Sequence, residues 1–314
     1  MEKGNQVQGA AYTMTEACTI RVESPWFGEM RFDDILMSSH LPVEETDALL
    51  CDWAPSEEVL LGFPRRKAWY NCEPEPHFVK CQGGGWPAIR AKLQPHEFLH
   101  HKHPDARYRV PHITHLGAVT VDRRTGRHDR AVAVVSNFGG SPRIRFQDAV
   151  IRNRFILQPT VDLFGRRSAW RKYRARLWSL PRLPRNFRGE IPGDWDDAEK
   201  RGLLAQYKVC VCLENSFEPF YFTEKFVDAA AAGCVPVYRA HPTVAATFLA
   251  GAKWIEPGAD EKPRETINRA LAASLEEFQE ANAAWLATNP FLKETSSTAV
   301  YHRIGRILAG KDEG

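Results

Sequence analysis

Two α/β domains are the architecture this sequence predicts, and three observations carry that prediction. The chain has 314 residues, a length that suits one large or two medium domains. "AVAVVSN", Ala131 to Asn137, is an unbroken apolar run that stops at polar residues, the pattern of a parallel strand buried on both faces. From Tyr207 to Tyr238 a strand pattern, a helix pattern and a second strand pattern follow one another as a βαβ unit. With 43% hydrophobic residues the chain can bury a substantial core. The boundary between the domains is expected near residues 115–130.

The elements follow in order. The first twenty residues carry little structural signal. "FDDILMSSH" and "DALLCDWAP" supply short elements of a first domain. "RKAWYNCEPEP", Arg66 to Pro76, reads as a strand running into a rigid loop, because Pro74 and Pro76 restrict the backbone. "GGGWP", Gly83 to Pro87, reads as a turn. "GGSPRIRFQDAVI" supplies a loop and a helix after the Ala131–Asn137 strand, and "PTVDLFG", Pro159 to Gly165, is a further strand. "YKVCVCL" opens the βαβ unit. Thr223 can cap the next helix through its hydroxyl, that helix runs from Glu224 to Ala232, and Gly233 suits the position after its end. "CVPVY" is the closing strand, with Pro236 an objection to a central place in a sheet. A further helix is predicted from Glu265 to Leu286. No internal repeat is visible.

Net charge is only +3, so global charge selects no partner. The local distribution is more informative. Nine Arg or Lys residues and no acid lie between Arg166 and Arg188. That stretch suits nucleic acid, an anionic membrane surface or a phosphorylated substrate, and equally a solvated loop. No run of 18 apolar residues predicts a membrane-spanning helix. The N-terminus lacks a signal-peptide pattern. Of seven cysteines, Cys210 and Cys212 alternate inside a hydrophobic strand as buried thiols do, and Cys72 and Cys81 lack a compact metal-ligand spacing. The chain reads as cytoplasmic with reduced cysteines.

"LENSFEPFYFTEKFVDAAAAGCVPVY", Leu213 to Tyr238, concentrates the chemistry. Glu214 and Asn215 end one strand, and Glu224 and Lys225 begin the following helix. Loops at the carboxyl ends of parallel strands are the usual ligand sites of α/β folds. The amides at a helix start favour an anion, and Lys225 adds a full positive charge, so phosphate suits the site. Glu224 suits sugar hydroxyls, because a carboxylate only accepts. Tyr221 adds a ring face and a hydroxyl. Phosphate at one end and diols nearby describe a nucleotide sugar. The bland alternative is that Glu224 and Lys225 are ordinary first-turn residues. No GxGxxG fingerprint and no P-loop sequence occurs.

"YKVCVCLENS" at 207–216 with "YFTEKFVDAAAAGCVPVY" at 221–238 resembles the signature region of the α-1,3/α-1,4-fucosyltransferase family. The resemblance implies two facing Rossmann-like domains of the GT-B glycosyltransferase type. Residues 1–125 would be the acceptor-side domain and 126–314 the domain that binds the nucleotide-sugar donor, the last helix being a candidate to pack back on the first domain. The family transfers fucose from GDP-fucose to a glycan hydroxyl with inversion. Its donor-contacting residues fall at Asn215, Tyr221, Glu224 and Lys225. "SNFGGSPRIRF" at 136–146 resembles the family segment that ends in a phosphate-binding arginine, placed at Arg143 by an ungapped match, with Arg145 the alternative. "WYNCEPEP" at 69–76 resembles the family strand that ends in Gly-Glu-Asn. That makes Glu73 the candidate base, with Cys72 and Pro74 departing from the family pattern and Glu75 the alternative.

The implied mechanism is one displacement. Glu73 takes the proton of the acceptor hydroxyl, while Lys225, Arg143 and the helix amides stabilise the departing GDP. The expected linkage is α-1,3 or α-1,4, to N-acetylglucosamine or glucose. No obligatory metal is expected: Asp194 and Asp196 of "DWDD" read as capping acids, and "HEFLHHKH", His96 to His103, lacks the HExxH spacing and reads as a structural or acceptor-side loop. The expected partner is a glycan or glycoconjugate acceptor, with no nucleic acid. A lipid-linked acceptor could be approached through the basic stretch 166–188, which includes Arg171, Lys172 and Arg174. The resemblance favours a soluble bacterial-type enzyme, or a Golgi-type one trimmed of its anchor. Three alternatives stay open: a nucleic-acid binder using Trp170, Tyr173 and Trp178, an inactive glycan binder, and a transferase using another nucleotide sugar.

Overall fold

The computed structural model describes residues 17–24, 27–52, 56–71, 86–100, 110, 120–135, 160–165, 186–191 and 197–312. Two sheets organise them. The first has six strands: β1 (Cys18–Glu23), β2 (Glu29–Phe32), β3 (Ile35–Ser38), β4 (Ala48–Asp52), β5 (Arg66–Asn71) and β6 (Phe98–His100). Their order is β2-β3-β1-β4-β5-β6. The β2–β3 pair is antiparallel and every other pairing is parallel.

The period of two along β4 and β5 explains both faces of this sheet. Ala48, Leu50, Ala68 and Tyr70 point to one core, and Leu49, Cys51 and Trp69 to the other. The second of these cores is closed by α1 (Glu57–Gly62), through Leu60, and by α2 (Trp86–Lys92), through Ile89. Trp86 and Pro87, expected in a turn, start α2. The loop expected at 96–103 contains a strand: Phe98–His100 pairs with β5 as β6, its three residues all buried.

The second sheet comprises β7 (His128–Val135), β8 (Val161–Gly165), β9 (Phe187–Gly189), β10 (Tyr207–Val211) and β11 (Val235–Val237). Its order is β11-β10-β7-β8-β9 and all its pairings are parallel. Pro236 therefore lies in an edge strand, where a missing N–H is tolerated. Helices α3 (Asp197–Leu204) and α4 (Glu224–Ala231) cover one face, and α6 (Pro263–Ala272) covers the other; α5 (Pro242–Ala246) follows β11. Buried Asp162 ties this sheet together: Arg130 and Arg188 donate to it at 2.7 and 2.9 Å, and the Tyr207 hydroxyl at 3.2 Å.

One predicted helix is two. The Glu265–Leu286 pattern is split between α6 and α7 (Leu275–Thr288). Ala273 is extended, and the Ser274 hydroxyl accepts from Glu277 N to start α7 afresh. The break lets α7 serve both faces, with Phe278 in one core and Trp285 in the other. After α8 (Pro290–Lys293), the last helix, α9 (Ser297–Leu308), packs on the first sheet. Val300, Tyr301, Ile304, Ile307 and Leu308 join Ile20, Ile35, Met37 and Leu50 there. Gly305 permits the close approach: a side chain there would meet Ile35 Cγ2 at 3.2 Å and Met37 Sδ at 3.3 Å. Among the described residues no helix is long and apolar enough to cross a membrane.

Candidate functional site

The second sheet reverses direction beside its first strand. From β7 the chain steps outward to β8 and β9, then returns to place β10 and β11 on the other side. In α/β folds the carboxyl ends of the strands that flank such a switch, here β7 and β10, are the usual place for a ligand. The loop between β10 and α4 starts from that end. Strand β10 stops at Val211, three residues short of Glu214, so Glu214 belongs to the loop.

Glu214 anchors this loop from beneath. Its carboxylate is buried, at 6% exposure. It accepts from Thr223 N at 2.9 Å and from Thr223 Oγ1 at 2.7 Å. The Tyr238 hydroxyl, just beyond β11, donates to it at 3.1 Å. Burial and the neighbouring Glu214 charge push the Tyr238 phenol well above its ordinary value. A buried carboxylate persists because three donors satisfy it. The sequence motif contains Glu214 without indicating this anchoring role. A lone acid following the apolar run "YKVCVCL" is the signal that could have marked it as an anchor.

The expected Thr223 cap does not form. Thr223 occupies the cap position with an extended backbone, but its hydroxyl makes no cap hydrogen bond. It donates to Glu214 and accepts from Lys225 at 2.8 Å. The competing carboxylate wins because it is buried and charged. Helix α4 is otherwise as predicted, ending one residue sooner. Phe226 through Ala231 are all buried, so only the first turn faces outward. Phe226 sits edge-on to Tyr238 and Trp285, at 5.1 and 5.2 Å between centroids.

The first turn holds the two predicted donor-site residues. The Glu224 side chain is 26% exposed and that of Lys225 15%. Lys225 Nζ lies 3.3 Å from Glu224 Oε1 and 3.4 Å from Glu214 Oε2. It also donates to Thr223 Oγ1 at 2.8 Å. The positive charge of Lys225 is therefore shared with two carboxylates. Lys200, from α3, approaches the same Glu224 oxygen at 3.9 Å and pairs with buried Asp228, one turn further along α4. Nothing in the sequence signals the Lys200–Asp228 pair, whose members are 28 residues apart.

Asn215 sits half-buried in the loop. Tyr221 is 3% exposed, so its ring is packed rather than offered as an open face. Between them Phe220 holds a φ of 58°, uncommon for a residue with a side chain, while its N–H donates to Thr243 Oγ1 at 2.8 Å. Glu73, Glu75, Arg143, Arg145, Asp194 and Asp196 lie outside the described residues. So does most of the basic stretch; its last member, Arg188, is committed to Asp162. Among the described residues no group of three His, Cys, Asp or Glu could hold a metal ion.

No protein-family model matches the chain. No curated protein matches it either. Solved structures do. A crystal structure of an α1,3-fucosyltransferase aligns over 98% of this chain and 94% of its own, at 16% identity and a TM-score of 0.56. An α-glucosyltransferase bound to UDP and a DNA 13-mer aligns over 85% and 81%, at 11% identity and a TM-score of 0.54. A UDP-forming trehalose-phosphate synthase from Burkholderia xenovorans covers 86% and 75%, at 14% identity and a TM-score of 0.54. These likenesses define the fold: two parallel-rich α/β sheets of the GT-B type. Fold alone does not select a reaction.

Proposed function

We propose that the chain is an inverting glycosyltransferase that moves L-fucose from GDP-fucose to a glycan hydroxyl, forming an α-1,3 or α-1,4 linkage to N-acetylglucosamine or glucose. The observation that carries the reading is the first turn of α4. It carries Glu224 and Lys225 beside the switch point of the second sheet, and buried Glu214 fixes the loop that leads into it. The GT-B fold and the sequence motif at 207–238 support it.

In this reading residues 126–314 carry the donor site. Glu224 accepts hydrogen bonds from donor hydroxyls, and Asn215 and the buried Tyr221 shape the pocket beside it. Lys225, the α4 amides and Arg143 face the diphosphate and stabilise the charge that grows on the leaving group. Glu73, from the first domain, removes the proton of the attacking hydroxyl. The hydroxyl oxygen attacks the anomeric carbon, the bond to GDP breaks, and no covalent enzyme intermediate forms. The acceptor is a glycan or glycoconjugate, and no step here calls for a metal.

A GDP-release assay with a panel of galactose- and N-acetylglucosamine-containing acceptors, without added metal, tests the reading. Release should rise with one acceptor and fall at least about a hundredfold in Glu73→Gln, the usual worth of a general base. Glu224→Ala should raise the KM for donor. Release untouched by Glu73→Gln would move the base to Glu75. Release from a UDP-sugar and none from GDP-fucose would overturn the donor, an outcome that the UDP-forming structural neighbour makes worth testing.

A further inference from the structure

Carboxylates offset much of the positive charge that Lys225 brings to the start of α4. Among the described side chains Glu214 and Glu224 there, and Asp228 one turn on, supply three carboxylates, against the ammonium groups of Lys200 and Lys225. The formal balance is one negative charge. A multiply anionic ligand at this mouth needs a cation that is not already committed, and Arg239 is such a cation.

Arg239 is exposed and lies two residues beyond the end of β11, beside the carboxyl end of β10. Its guanidinium carbon sits 4.8 Å from the centroid of the Phe217 ring. Among the described residues no hydrogen bond or ion pair engages it. Among the described residues Phe217 is one of few large apolar side chains left in solvent, at 38% exposure. It belongs to the loop that carries Glu214 and Asn215, and His241 leans on it at 5.2 Å with the rings tilted by 56°.

Both partners are held in place. The Tyr238–Glu214 and Phe220–Thr243 hydrogen bonds stitch the Phe217 loop to the segment after β11. His241 Nδ1 accepts from Thr243 N at 3.2 Å, which fixes the imidazole that flanks the ring. A guanidinium resting on a fixed ring loses little freedom when it binds, and its N–H edges stay open for two parallel bonds. That fork matches an oxyanion.

We propose that Arg239, laid on Phe217, is an oxyanion-binding residue of this mouth. The oxyanion is a diphosphate of the donor or an acidic group on the acceptor. The proposal rests on the donor-site reading for its place in a reaction, but not for its chemistry.

Calorimetric titration of the full chain with inorganic pyrophosphate, GDP and guanosine tests it, alongside Arg239→Ala, Arg239→Lys and Phe217→Ala. Arg239→Ala should weaken pyrophosphate and GDP roughly tenfold or more and leave guanosine unchanged, the loss expected of a charge-assisted bond. Arg239→Lys should recover only part, because an ammonium neither lies flat on the ring nor donates a parallel pair. Phe217→Ala should produce a smaller loss. Unchanged GDP affinity with a raised KM for a carboxylate- or sulfate-bearing glycan would assign the oxyanion to the acceptor. Equal losses for guanosine and GDP would overturn the proposal. So would an Arg239→Ala protein that matches wild type on every anion. Pyrophosphate binding through Arg239 without any guanine-nucleotide binding would sink the donor reading and leave this one standing.

Discussion

Glu214 shows what one buried side chain does for this site. Its two oxygens answer donors from Thr223 and Tyr238 and the ammonium of Lys225. Glu214→Gln keeps the shape but turns an acceptor into a donor among other donors. It should cost about 1–3 kcal/mol, the penalty of unmatched buried polar groups, read as a lower urea midpoint at unchanged slope. Donor affinity should fall with it, because the Asn215–Phe217 segment loses its anchor. Burial also governs the thiols. It pushes Cys51 up to about 12 and Cys234 well above its ordinary value. Cys210 is raised by its hydrogen bond with Cys212 and by burial. These three should stay silent to a thiol reagent at neutral pH and react only on unfolding, as mass mapping of labelled cysteines would show.

Elements are joined by a few contacts that cross the sequence. Asp162 links β7, β8, β9 and β10. Burial would raise its pKa, but the bonds from Arg130 and Arg188 outweigh burial and hold it below the usual carboxylate range. A depressed native value means that stability from Asp162 is complete above about pH 4, where the unfolded carboxylate titrates, and is lost as the pH falls through the native value. Asp162→Asn should therefore lower stability at pH 7 and flatten the acid limb below about pH 4, where the Asp162 contribution is lost in the parent chain, measured by denaturant titration at each pH. Gly233 ends α4 at a φ of 68°, with Asp122 O only 2.0 Å from where a Cβ would sit. Gly233→Ala should destabilise by at least about 1–2 kcal/mol from the left-handed backbone alone, with the clash added, visible as a lower thermal midpoint.

At the scale of the whole molecule, α9 is the tie. The chain builds the second sheet, then returns to cover the first. The Tyr301 hydroxyl donates to Asp52 at 2.9 Å, Arg66 donates to the Leu308 carbonyl, and Lys311 pairs with Asp34. A chain stopped after Lys293 would expose the face formed by Ile20, Ile35, Met37 and Leu50. Such a protein should bind a hydrophobic dye in its native buffer and aggregate on concentration. Gly305→Leu should show a milder form of the same defect by pushing α9 off Ile35 and Met37. A truncated chain that stayed soluble and dye-silent would show that the first sheet closes without α9.

Local pattern determined much of this protein. The apolar runs at 131–135 and 209–213 fix parallel strands because strands covered on both faces need unbroken hydrophobic sequence. "TEKFVDAAAAG" fixes where α4 begins and how it ends, since small residues, a first-turn acid and a terminal glycine are local signals. Asn215, Tyr221, Glu224 and Lys225 can be proposed as one site for the same reason: they share one short motif. The tertiary structure decided the rest. It gave the Thr223 hydroxyl to Glu214, divided the Lys225 charge between two carboxylates, split α6 from α7 at Ala273, brought α9 to the first sheet and laid Arg239 on Phe217. Each outcome depends on partners that meet only when the chain folds: spacing along a sequence sets which face a residue takes, and packing decides which charge or ring it finds there.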